Sequence, residues 1–75
     1  MKKISIQQIY TMYGFDITKV ADRANVTPYR LRCMITGQGT VSKPEVEQVL
    51  AVLRQQLGRN YTLRTVRVGC KVTDR

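Results

Sequence analysis

The stretch ITKVADRANVTPYRLRCMI, Ile17 to Ile35, reads as a helix, a tight turn and a second helix. Asp16 can accept hydrogen bonds from the free amides that open the first of these helices. Ile17, Val20, Ala21 and Ala24 recur at spacings of three and four, so they share one face. Asn25 tolerates a left-handed backbone better than most residues and predicts the end of that helix. Val26 can then plug the corner, while Thr27 caps the next helix and Pro28 takes its first position, where a missing N–H costs nothing. Leu31, Met34 and Ile35 give the second helix its inward face. Tyr29, Arg30, Arg32, Cys33 and Thr36 are expected to face outward, with no acid among them. Two helices crossing steeply need a small residue where their backbones approach, and Ala21 is placed for that.

Downstream, TGQGT (residues 36–40) predicts a polar loop able to approach a phosphate closely. Ser42 and Glu45 then form a capping box, Val41 can staple to Val46, and Pro44 is tolerated in the first turn. Val46, Val49, Leu50, Leu53 and Leu57 make the strongest amphipathic stripe of the chain, ending near Gly58. Upstream, Ser5 and Gln8 form another capping box, with Ile6, Ile9, Tyr10 and Tyr13 on one stripe and Gly14 as the stop. The opening ISIQQIYTMYG is similar to phage Cro repressors, and that resemblance implies a short strand over Lys2 to Ile6, which can precede the helix. Facing stripes from these four helices are expected to close one core within residues 5–57.

From Asn60 the period changes. Val66, Val68, Cys70 and Val72 alternate with Thr65, Arg67, Gly69 and Lys71, which predicts one strand with a bulge at Gly69. A lone strand leaves its backbone unpaired, so it needs the N-terminal strand, a second copy of the chain, or both. Val66, Val68 and Val72 are accordingly the candidate dimerisation residues, and a basic arm of Arg64, Arg67 and Lys71 to DNA or single-stranded RNA is the other use of this tail. The fold class expected is mainly α, one domain over residues 1–75, with a helical core to residue 58 and a β tail over 59–75.

Composition narrows the function. Seventy-five residues allow one small core. Thirteen Lys and Arg against five Asp and Glu give a net charge of +8 and favour a polyanionic partner, nucleic acid ahead of a membrane surface. There is no histidine, and Cys33 and Cys70 form no CxxC pair, so no zinc site and no cofactor is expected. Neither a nucleophile with a base nor a Gly-rich phosphate loop is legible, so an enzyme is not expected. MKKISIQQ turns polar at once and no apolar run approaches a membrane span, which points to a reducing cytoplasm, bacterial or phage-infected. For Cys33, a small apolar contact is weighed above a redox switch.

Ile17 to Leu53 resembles, without a gap, the DNA-binding headpiece of the lac-repressor family. The likeness lies in Val20-Ala21, Ala24, Asn25-Val26, the Thr27 cap and Val41-Ser42. The opening, ISIQQIYTMYG followed by TKVADRANV, is similar to phage Cro repressors. Asn25 stands where the headpiece turn usually has Gly, and Pro28 where that family often carries a base-reading side chain. The resemblance implies a helix-turn-helix domain binding double-stranded operator DNA. Its second helix would enter the major groove, with Thr27, Pro28, Tyr29, Arg30, Arg32 and Cys33 at the bases. Thr18, Lys19, Thr36, Gln38 and Lys43 would hold phosphates. A homodimeric Cro-like repressor on a near-palindromic site is the role implied. An excisionase-type architectural protein and a protein-interaction module are the alternatives.

Overall fold

The computed structural model describes residues 3–73. Strand β1 (Ile4–Ser5) runs directly into helix α1 (Ile6–Tyr13), so the strand and helix readings of the N-terminus both hold; Lys2 lies outside the described residues. Ser5 Oγ accepts from the Gln8 N–H at 3.1 Å while Gln8 Oε1 accepts from the Ser5 N–H at 2.9 Å. Those two bonds satisfy amides that the first helical turn leaves free. Helices α2 (Ile17–Ala24) and α3 (Pro28–Thr36) follow, then strand β2 (Thr40–Ser42), helix α4 (Lys43–Leu57), and strands β3 (Val66–Arg67) and β4 (Lys71–Thr73). The fold is mainly α, with four helices among the described residues.

The C-terminal segment departs from expectation. In place of one bulged strand there are two short ones, each paired in parallel with a different upstream strand. Ile4 stands opposite Val66 and Ser5 opposite Arg67; Thr40, Val41 and Ser42 stand opposite Lys71, Val72 and Thr73. Parallel pairing needs a long crossover, and here the helices themselves supply it: α4 links β2 to its partner, and the whole helical body links β1 to β3. Gly69 makes the break between the strands. A Cβ on it would stand 3.1 Å from the Gly37 Cα, a tight contact that glycine avoids where the two backbones approach.

This pairing removes the reason for assigning Val66, Val68 and Val72 to a dimer. Val66 is 2% exposed inside the chain's own core, Val68 packs partly buried against that core, and Val72 is paired with Val41. The hydrophobic core also crosses the division expected at residue 58. One continuous hydrophobic core runs from Ile6 to Cys70 and takes in Tyr61 and Val66 along with the stripes of all four helices. Burying a large apolar side chain is worth roughly 1.5–3 kcal/mol, and a small domain has only about 5–15 kcal/mol in hand. The tail is therefore part of the fold. Phe15, just past the Gly14 stop, is a core residue too, edge-on to Tyr10 with ring centroids 5.2 Å apart.

Candidate nucleic-acid interface

Helix α3 is presented by a turn whose hydrogen bonds are all local. Asn25 sits in the left-handed region at φ 58°, ψ 39°. Its N–H donates to the Asp22 carbonyl at 3.2 Å, and the Val26 N–H reaches the Ala21 carbonyl at 3.0 Å. That pair of bonds closes the end of α2 and brings Val26 back over its last turn, where it packs against the core. Ala21 is fully buried. Two residues after Asn25, Thr27 Oγ1 accepts from the Arg30 N–H at 3.2 Å and starts α3 on a new axis.

Successive residues on a helix are about 100° apart, so α3 divides into three stripes. Leu31, Met34 and Ile35 face the core, as the sequence indicates. Arg30, Cys33 and Gly37 make a second stripe, and the chain from Gly37 to Ser42 folds back along it. The Arg30 guanidinium donates to the Thr40 carbonyl at 3.0 Å and lies 3.6 Å from Glu45 Oε1. A Cβ on Gly39 would come within 3.0 Å of Cys33 Sγ, and Gly37 meets Gly69. Tyr29, Arg32 and Thr36 form the third stripe, which is exposed, Tyr29 by 70%.

Cys33 is thus 6% exposed and not outward-facing, which removes it from the base-reading set. Its polar neighbours in sequence hide a second apolar contact, made by a loop that folds back over it. Arg30 remains at the surface, but its guanidinium ties α3 to β2 and to the first turn of α4. Thr27, Pro28, Tyr29 and Arg32 are exposed together on the first two turns of α3. Thr36 continues their stripe, with its hydroxyl donating to the Arg32 carbonyl at 2.9 Å. Thr18 and Lys19 are exposed on the first turn of α2, at the end away from the Asn25 turn. Gln38 is exposed in the fold-back and Lys43 at the start of α4. Lys71, one of the basic residues of the tail, stands opposite Thr40 through the pairing of β4 with β2. Its alternation with valines was visible in the sequence, whereas its partner strand lay hidden in what reads as a flexible loop.

Two acids, Asp16 and Glu45, cap helices. Asp16 Oδ1 accepts from the Lys19 N–H at 3.1 Å. Glu45 Oε1 accepts from both the N–H and the hydroxyl of Ser42, at 3.0 and 2.9 Å. The backbone bond from Ser42 holds the Glu45 carboxyl below its usual range against an opposing effect of burial, with the Ser42 hydroxyl and Arg30 assisting. Burial pushes the Cys70 thiol up and, with a hydrogen bond to Tyr13, the Tyr61 phenol as well. A raised thiol pKa makes the Cys70 sulfur a poor nucleophile.

Elsewhere, a groove of about 370 Å³ beside α4 is lined by Glu47, Leu50, Arg54, Thr62, Leu63 and Arg64. The Arg54 guanidinium is already engaged with the Tyr61 carbonyl at 3.1 Å. Among the described residues no three Cys, Asp or Glu side chains gather as metal ligands, and no helix is long and apolar enough to cross a membrane. No protein-family model matches the chain, nor does any curated protein or solved structure.

Proposed function

We propose that this chain is a sequence-specific reader of duplex DNA that inserts the exposed stripe of α3 into the major groove. The observation that carries this reading is the stripe itself. Tyr29, Arg32 and Thr36 stand side by side on a helix whose other two stripes are fixed, and no acid interrupts them. A net charge of +8 supplies the attraction to phosphate. Arg32 is the base reader, suited to two hydrogen bonds with guanine, and Tyr29 donates one bond or packs on a thymine methyl. Thr18, Lys19, Gln38 and Lys43 hold the backbone. A regulator that occludes a promoter is the role this chemistry serves best. A homodimer on a near-palindromic site belongs to the same reading, with its interface elsewhere than the internally paired β3 and β4.

Selection of bound duplexes from a random pool, followed by titration of the selected and a scrambled site at several salt concentrations, tests it. The selected site should bind more tightly, with affinity falling steeply as salt rises. Arg32→Ala should cost on the order of 1–3 kcal/mol on the selected site and little on the scrambled one. Equal affinity of the full chain for both duplexes would remove the reading.

A further inference from the structure

Two strands run along one flank of α3, and their chemistry differs from that of the stripe beside them. The chain from Gly37 to Ser42 turns back along the helix, meeting it at Gly37, at Cys33 through Gly39, and at Arg30 through Thr40. Strand β4 lies outside it. The Lys71 N–H donates to the Gly39 carbonyl at 3.2 Å, and Lys71 to Thr73 stand opposite Thr40 to Ser42. In this register Val41 is fully buried, whereas Thr40 and Lys71, paired across the two strands, are exposed. Lys43 follows β2 directly and is exposed as well. The ribbon thus exposes Thr40 and Lys71, with Val72 partly exposed beside them. Among the described residues, the Glu45 carboxylate beside this arrangement is turned to Ser42 and Arg30.

We infer that the β2–β4 ribbon is a phosphate-binding rail, with Lys71 as its contact to the DNA backbone beside the groove that α3 enters. This rests on the proposed reading of α3 as the base-contacting helix. The reason is dimensional. A helix with its side chains is about 10–12 Å across, and the major groove is about 12 Å wide, so α3 fills the groove. Neighbouring strands are about 4.8 Å apart, so two strands beside the helix stand over the groove's edge, where the sugar-phosphate chain runs. A contact there carries charge and register but no base identity. Arg30 keeps the rail in place: its bonds to Thr40 and Glu45 tie the ribbon to the helix. It is a positioning residue here.

The test compares Lys71→Gln with Arg32→Ala in the full chain, on selected and scrambled duplexes across a salt series. Lys71→Gln should weaken both duplexes by the same factor and reduce the slope of log affinity against log salt by about 0.9, the loss of one phosphate contact. Lys71→Arg should restore the slope. Should Lys71→Gln lose its cooperative melt, Thr40→Glu places a negative charge at the same register and should weaken both duplexes alike. An unchanged slope in Lys71→Gln, or undiminished affinity in Thr40→Glu, while Arg32→Ala still relaxes base preference, would overturn the rail and leave the reading of α3 standing. Failure of the full chain to bind any duplex would overturn both.

Discussion

The turn at Asn25 and the ribbon of β2 and β4 both hold α3 in place, and they do so by opposite means. The turn is made from neighbours: Ala21, Asp22, Asn25 and Val26 satisfy one another's backbone groups within a single helical turn. The ribbon joins Gly39 to Lys71 and Gly37 to Gly69, positions separated by the whole of α4 and the loop after it. Local closure is favoured by residue type, because a left-handed Asn and a capping Thr each bias a few dihedrals. Distant closure has to offset the entropy of a long loop, and here the offset is a shared hydrophobic core. One side of α3 is therefore written in short motifs and the other in the fit of surfaces.

The strongest way to break this contrast is to end the chain at Gly58. If the helices were self-sufficient, the shortened chain would keep its helical circular dichroism and melt cooperatively. Losing Tyr61, Val66 and Cys70 from the core, together with the partners of β1 and β2, should instead abolish the cooperative melt and leave little helix. A sharp transition in the shortened chain would restore the division at residue 58.

On the local side, Ala21→Leu adds bulk where α2 closes against its turn and no surface remains exposed. Overpacking of this kind costs roughly 1–3 kcal/mol. Urea unfolding followed by circular dichroism should show a lower midpoint with an unchanged slope. An unaltered midpoint would mean that the crossing has room which its complete burial does not suggest.

The smallest effect belongs to the residue that joins the two sides. Glu45 caps α4 through Ser42 and approaches Arg30, and its carboxyl titrates below the usual value. A depressed folded pKa means that its contribution is present above the unfolded value of about 4.3 and is lost as pH falls through the folded one. Glu45→Gln keeps an acceptor for the Ser42 N–H but cannot ionise. It should cost about 0.3–1 kcal/mol at neutral pH and show a flatter decline in stability below pH 5 than the parent chain. Identical pH profiles for the two would place the acid sensitivity of the fold elsewhere.

Sequence alone determined the four helices, most of their start and stop residues and inward stripes, and the turn that presents α3. Each of these follows from periodicity or from a cap within a few residues, and Ser5, Asp16, Asn25, Thr27 and Ser42 occupy the roles their chemistry indicates. Tyr13, expected on the inward stripe of α1, is instead exposed because it lies in the last turn beside the Gly14 stop. Only the tertiary structure decided what covers the flank of α3 and where the last strands go. Cys33 gave no sign that Gly39 would press on it, because the contact comes from a loop folding back. Strand β2 has three residues and β3 two, too few for an alternating pattern to register. Lys71 reads in the sequence as part of a basic arm whose place against the helices is not given. It came to stand opposite Thr40, which accepts from Arg30, only when two distant backbones closed together at Gly37 and Gly69.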